Sequence, residues 1–146
     1  MLYNWIITVP KNTPRTAPIE QRLSLAIGIV TWYSVLFPPG CAGLVHCKIF
    51  HREHQIVPSK GDQDLSGDTY PIEWADYYEL YERPAEFLAR CWNEDDTYEH
   101  HVHIRIAVVP RRAIVALAVV DAIKGAFGIL SPKRIKVPTW LGGKKE

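Results

Sequence analysis

At 146 residues the chain is long enough to bury one hydrophobic core and short for two, so a single domain with at most an appendage is expected. Hydrophobic residues at 47% and charged residues at 23% exclude a disordered or fibrous chain. With 17 Lys and Arg against 16 Asp and Glu, the net charge of +1 supplies no global field for nucleic acid or an anionic membrane, and no specific nucleic-acid signature is present.

Trp5-Ile6-Ile7-Thr8-Val9 is a β-branched run closed by Pro10, and Pro14 and Pro18 keep the next stretch extended. From Leu23 the pattern is strand-like again, with Gly28 as a bulge or bend and continuation from Ile29 to Phe37, until Pro38-Pro39-Gly40 ends it. Leu44 to Phe50 predicts the next strand, with Val45, Cys47 and Ile49 on one face and His46 and Lys48 on the other. A short strand around Gln55 to Val57 stops at Pro58, and Ser59 to Tyr70 reads as a long exposed loop. Ile72 to Tyr81 is ambiguous: its aromatic residues suit a helical turn as well as a strand. Phe87 to Trp92 predicts a strand and Asn93 to Glu99 an acidic turn. Val102 to Val108 alternates most clearly, with Val102, Ile104, Ile106 and Val108 facing one way and His101, His103, Arg105 and Ala107 the other.

The period changes at Pro110. From Ala113 to Leu130 the apolar residues recur at helical spacing, and Val115, Ala116, Val119, Val120, Ile123, Ala126, Phe127 and Leu130 form one broad stripe opposite Asp121, Lys124, Gly125 and Gly128. Ser131-Pro132 stops the helix, and Ile135 to Leu141 is an extended tail with Trp140 as an anchor. That tail belongs to a basic terminus, in which Lys133, Arg134, Lys136, Lys144 and Lys145 face only Glu146. The expected fold is mainly β: an antiparallel sandwich of jelly-roll or Greek-key type over 1–110, with residues 1–20 extended, then a C-terminal amphipathic helix and tail over 111–146.

Cys41, Cys47 and Cys91 cannot all pair within one chain, and Cys47 and Cys91 sit in apolar runs. Buried free thiols and assembly in a reducing compartment are expected. The N-terminal residues lack the pattern of a signal peptide.

The motif nearest to a known chemistry is Asp62-x-Asp64-x-Ser66-Gly67-x5-Glu73, which fits the ligand spacing of a calcium loop. Its context argues for an acidic surface loop instead: Pro58 and Gly61 replace the entering helix and Pro71 interrupts the second half. His101 and His103 share a strand face, and with His46 they make a zinc site conceivable, against the plainer reading of a polar sheet face. A cupin-type metal centre would need a different order and spacing. Glu94-Asp95-Asp96 reads as a solvated turn, and no nucleophile elbow, phosphate loop or dinucleotide fingerprint occurs. Trp32, Trp74 and Trp92 read as core residues, whereas Tyr77, Tyr78 and Tyr81 read as a surface cluster suited to an interface. No cofactor is called for.

Three stretches carry a resemblance: Phe37-Pro38-Pro39-Gly40-Cys41-Ala42-Gly43, His54-Gln55-Ile56-Val57-Pro58, and Trp92-Asn93-Glu94-Asp95-Asp96-Thr97-Tyr98. Together, across residues 20 to 110, they resemble small β-sandwich structural proteins of tailed phages and related prokaryotic viruses. The resemblance implies a virion component assembled in the host cytoplasm: a capsid decoration, vertex or tail-associated protein. It carries over no catalytic residue.

The leading expectation is therefore a non-enzymatic structural protein. It would self-associate or bind other virion proteins through Val115, Val119, Ile123, Phe127, Leu130, Trp140 and the tyrosine cluster. A glycan- or calcium-binding module is the second reading. A membrane-attached protein anchored by residues 113–130 is the third, disfavoured as a span by Asp121 and Lys124 near its centre.

Overall fold

The computed structural model describes residues 1–130, except for the side chains at 111, 114, 117 and 126–130. The chain divides into two units, Met1–Arg111 and Arg112–Glu146. The first holds nine strands: β1 (Leu2–Val9), β2 (Ile19–Ser24), β3 (Gly28–Leu36), β4 (Val45–His51), β5 (His54–Val57), β6 (Leu65–Ser66), β7 (Pro71–Leu80), β8 (Glu86–Asn93) and β9 (His100–Pro110).

Two antiparallel sheets face each other. The first has the order β1-β9-β3-β7 and the second β2-β8-β4-β5, with β6 also paired to β4. Strands β1 and β9, β2 and β8, β3 and β7, and β4 and β5 form four nested antiparallel pairs. They are the rungs of one long hairpin, rolled up so that β9 meets β3 and β8 meets β4. This is a jelly roll, the narrower of the two expected topologies.

Alternation decides which side chains fill the space between the sheets. Val102, Ile104, Ile106 and Val108 of β9 are fully buried there, beside Val35 and Tyr33 of β3 and Cys47, Ile49, Phe87 and Cys91 from the second sheet. Each such side chain contributes on the order of 2 kcal/mol of transfer free energy. Cys47 and Cys91 are register partners and remain free thiols, as does buried Cys41.

Two features depart from the expectation, and one open reading is decided. Leu23 to Phe37 is not one bent strand: residues 25–27 carry the chain out of the second sheet at Ser24 and into the first at Gly28. Gly28 serves that crossing, because a Cβ there would run into the carbonyl oxygen of Val109. The bulge lies further on, between Val30 and Trp32. Ile72 to Tyr81 resolves as strand β7, whose inward Ile72, Trp74 and Tyr78 pack on the core.

In the second unit, α1 (Arg111–Leu130) is about 30 Å long at 1.5 Å per residue. Val115, Val119, Val120 and Ile123 are exposed on it, and apolar residues also occupy much of the remaining circumference. The side chains of Phe127 and Leu130, and Trp140 with the whole tail, lie outside the described residues.

Candidate functional site

The outer faces of the two sheets carry what the core does not use. Residues opposite one another in an antiparallel pair share a face, so the register lays out the first sheet in rows. One row is Leu2, Ala107, Trp32 and Ala75; the next is Asn4, Arg105, Ser34 and Glu73; the third is Ile6, His103, Leu36 and Pro71. Two largely apolar rows, the second of them holding His103, thus flank a polar one. Leu2 is 66% exposed and Ile6 59%, both on the edge strand β1. In the polar row Ser34 is buried between its neighbours, and its hydroxyl has no hydrogen-bond partner. Among the described residues neither Arg105 nor Glu73 takes part in an ion pair.

The second sheet's outer face is built differently. His46, Lys48 and Phe50 from β4 stand in register with Trp92, Arg90 and Leu88 from β8, and Glu20 of β2 lies beside Arg90. Two loops cover them. The β1–β2 connection is fastened along the end of β8, where Thr13 bridges to Asn93 and the Asn12 amide donates to the Asp95 carbonyl at 2.8 Å. The β5–β6 connection is gathered by Gln55, whose Nε2 lies 2.7, 3.1 and 2.9 Å from the carbonyl oxygens of Pro58, Lys60 and Gln63. Under these loops Trp92 is 3% exposed and Lys48 8%. Trp92 stacks on His46 at 5.0 Å and has the Arg15 guanidinium 5.3 Å over its ring; Arg90 sits 4.6 Å over Phe50. Between the β1–β2 connection and the sheet is an open recess of about 400 Å³ whose walls include Arg15, Glu20, Lys48, Phe50, Arg90 and Trp92.

The residues singled out in the sequence fall apart or take other roles. His46 is on the outer face of the second sheet, bonded through Nδ1 to Asp64 at 3.0 Å, while His101 and His103 are on the outer face of the first. The core lies between them, so the three cannot share a zinc ion. The calcium spacing is likewise undone by topology. Asp62 pairs with Lys60, Asp64 with His46, Ser66 belongs to β6 on the second sheet, and Pro71 opens β7, which carries Glu73 to the first sheet. Among the described residues no group of three or more His, Cys, Asp or Glu is placed to hold a metal.

The tyrosine cluster also divides. Tyr77 is exposed and Tyr81 partly so, but Tyr78 turns inward, its hydroxyl 2.7 Å from His51 Nδ1 and its ring edge-on to Phe87. Trp32 and Trp92, expected in the core, lie on outer faces, one half-buried on open sheet and the other buried beneath a loop. The acidic turn is a capping device: Asp95 Oδ1 accepts from the amides of Thr97 and Tyr98, and Oδ2 meets His100 Nε2 at 2.9 Å. The hydrogen bond from His100, then those from the backbone, hold this carboxyl below its ordinary range.

Sequence reasoning missed the recess. Lys48 was visible as a polar residue between Cys47 and Ile49, but nothing in the sequence placed Arg90, Trp92 and Arg15 around it. The chain matches no known protein family, and neither a characterised protein nor a solved structure matches it. Among the described residues no helix is long and apolar enough to cross a membrane.

Proposed function

We propose that the protein is a non-enzymatic structural subunit whose copies pack together within a larger assembly, a virion component being the reading that the sequence resemblance favours. The jelly roll is compatible with this, since the architecture recurs in viral capsid domains as well as in lectins and cupins. Fold alone does not choose among those uses. The observation that carries the reading is the first sheet's outer face, with apolar rows on either side of a row holding one cation and one carboxylate.

That face is self-complementary. A two-fold axis running along β3 would set Arg105 of each copy over Glu73 of the other and Ala107 over Ala75, because β9 and β7 flank β3 on opposite sides. Ser34 would lie beside the axis, beneath the larger side chains around it. Trp32 would pack against Trp32. The apolar helix α1 adds a second surface that an assembly would cover.

Sedimentation velocity of the full chain over a range of concentrations tests this reading. The expected result is association that Trp32→Glu abolishes, since the substitution places two like charges together on the axis. A chain that stays monomeric throughout, or that associates equally well as Trp32→Glu, counts against it.

A further inference from the structure

The recess on the second sheet carries a separate inference, independent of how copies assemble. Its ionisable walls are Arg15, Lys48 and Arg90 against Glu20 alone, an excess of two positive charges. Glu20 is committed, since Arg90 Nε donates to its Oε1 at 2.8 Å. Arg15 and Lys48 are left without a carboxylate among the described residues. Lys48 is the telling one. It is more than nine-tenths buried, its Nζ donates only to the Gly61 carbonyl oxygen at 3.1 Å, and an ammonium has three donors to satisfy. Beside it the buried indole N–H of Trp92 has no acceptor. An ammonium buried without a counter-charge and a buried N–H without an acceptor are both costly, and the side chains that carry them both contribute to the recess wall.

We propose that this recess binds a small molecule through an oxyanion group, a carboxylate, sulfate or phosphate. Lys48 and Arg15 neutralise the charge, and the Arg15 guanidinium supplies the directed N–H donors. A recess of about 400 Å³ falls within the roughly 300–1,000 Å³ of pockets that take up whole small molecules, so there is room for the group to be carried on a larger body. Phe50 and Trp92 have cations or a ring over their faces already, so recognition rests on charge and hydrogen bonds rather than on stacking against an open aromatic platform.

The test is isothermal titration calorimetry of the full chain at low ionic strength with inorganic phosphate, sulfate, glucuronate and, as a neutral control, glucose. Saturable one-to-one binding of at least one of the three anions is expected, with no binding of glucose. Phosphate or sulfate binding as tightly as glucuronate assigns the site to the oxyanion itself; tighter glucuronate binding assigns it to an acidic sugar. Lys48→Met should weaken binding at least tenfold. Arg15→Gln, on an exposed loop where folding is not at stake, should weaken it several-fold, and Glu20→Gln should strengthen it by releasing Arg90. Absence of binding by all three anions in millimolar excess, equal binding of glucose and glucuronate, or unchanged affinity in Arg15→Gln would overturn the proposal.

Discussion

The two sheets share one core and present opposite kinds of outer face. The second is roofed by the 10–18 and 58–64 loops, and the roof buries Lys48 and Trp92 on what alternation marks as the solvent side. No loop of the same unit, Met1–Arg111, covers the first in this way, and Leu2 and Ile6 are exposed on it. A strand's alternation therefore fixes only which side chains leave the core. What they meet outside is decided by connections far away in sequence: an open, charged recess on one sheet, and a surface banded by residue type on the other.

The strongest perturbation acts on what the two faces have in common. Ile104→Asp would bury an unpaired charge between the sheets and should cost on the order of 4 kcal/mol, unfolding both faces in a single transition. Thermal melts followed by circular dichroism check it, and an unchanged melting temperature would contradict the assignment of β9.

A matched pair of truncations separates the faces. Trp92→Ala removes a buried ring that holds His46 and Arg15, and should cost about 3 kcal/mol. Leu2→Ala on the open sheet should cost less than about 0.5 kcal/mol in the monomer. Comparable losses in urea titrations of the two variants would erase the distinction between a roofed and a bare face.

A smaller effect is expected where the sheets touch at their rim. His51 from β4 and Tyr78 from β7 join across the sandwich through a hydrogen bond of 2.7 Å between the phenol oxygen and Nδ1. Tyr78→Phe should cost about 1 kcal/mol. Burial, and then the charge of Arg52, hold His51 below its ordinary pKa; burial, then Arg105 and His101, do the same for His103 on the open face. Depressed values mean that the unfolded chain takes up these protons first. Stability is thus full above about pH 6.5 and declines as the pH falls from there toward the folded-state values. Melting temperatures recorded between about pH 7.5 and 5 should fall on acidification; a rise would show that the imidazoles gain rather than lose by folding.

The fold was largely legible because β9 and β4 announce their inward residues by alternation, and Pro38-Pro39-Gly40 and Pro58 mark the ends of β3 and β5. The switch of sheets at residues 25–27 was not legible, since Leu23 to Phe37 alternates as one strand would and only the clash at Gly28 with Val109 betrays the crossing. Sites suffered more. His46, His101 and His103 look like a ligand set in one dimension, and the partition of β4 and β9 into opposite sheets separates them. Lys48, Arg90 and Trp92 look unrelated until the β4–β8 register brings them together.

The most direct test of the open face as an assembly surface is a charge exchange measured by sedimentation equilibrium. Arg105→Glu and Glu73→Arg should each weaken association at least tenfold, by setting like charges across the proposed axis, whereas the double variant carrying both should regain it. If the wild type, the two single variants and the exchanged pair all sediment alike, Arg105 and Glu73 do not face one another between copies and the claim fails.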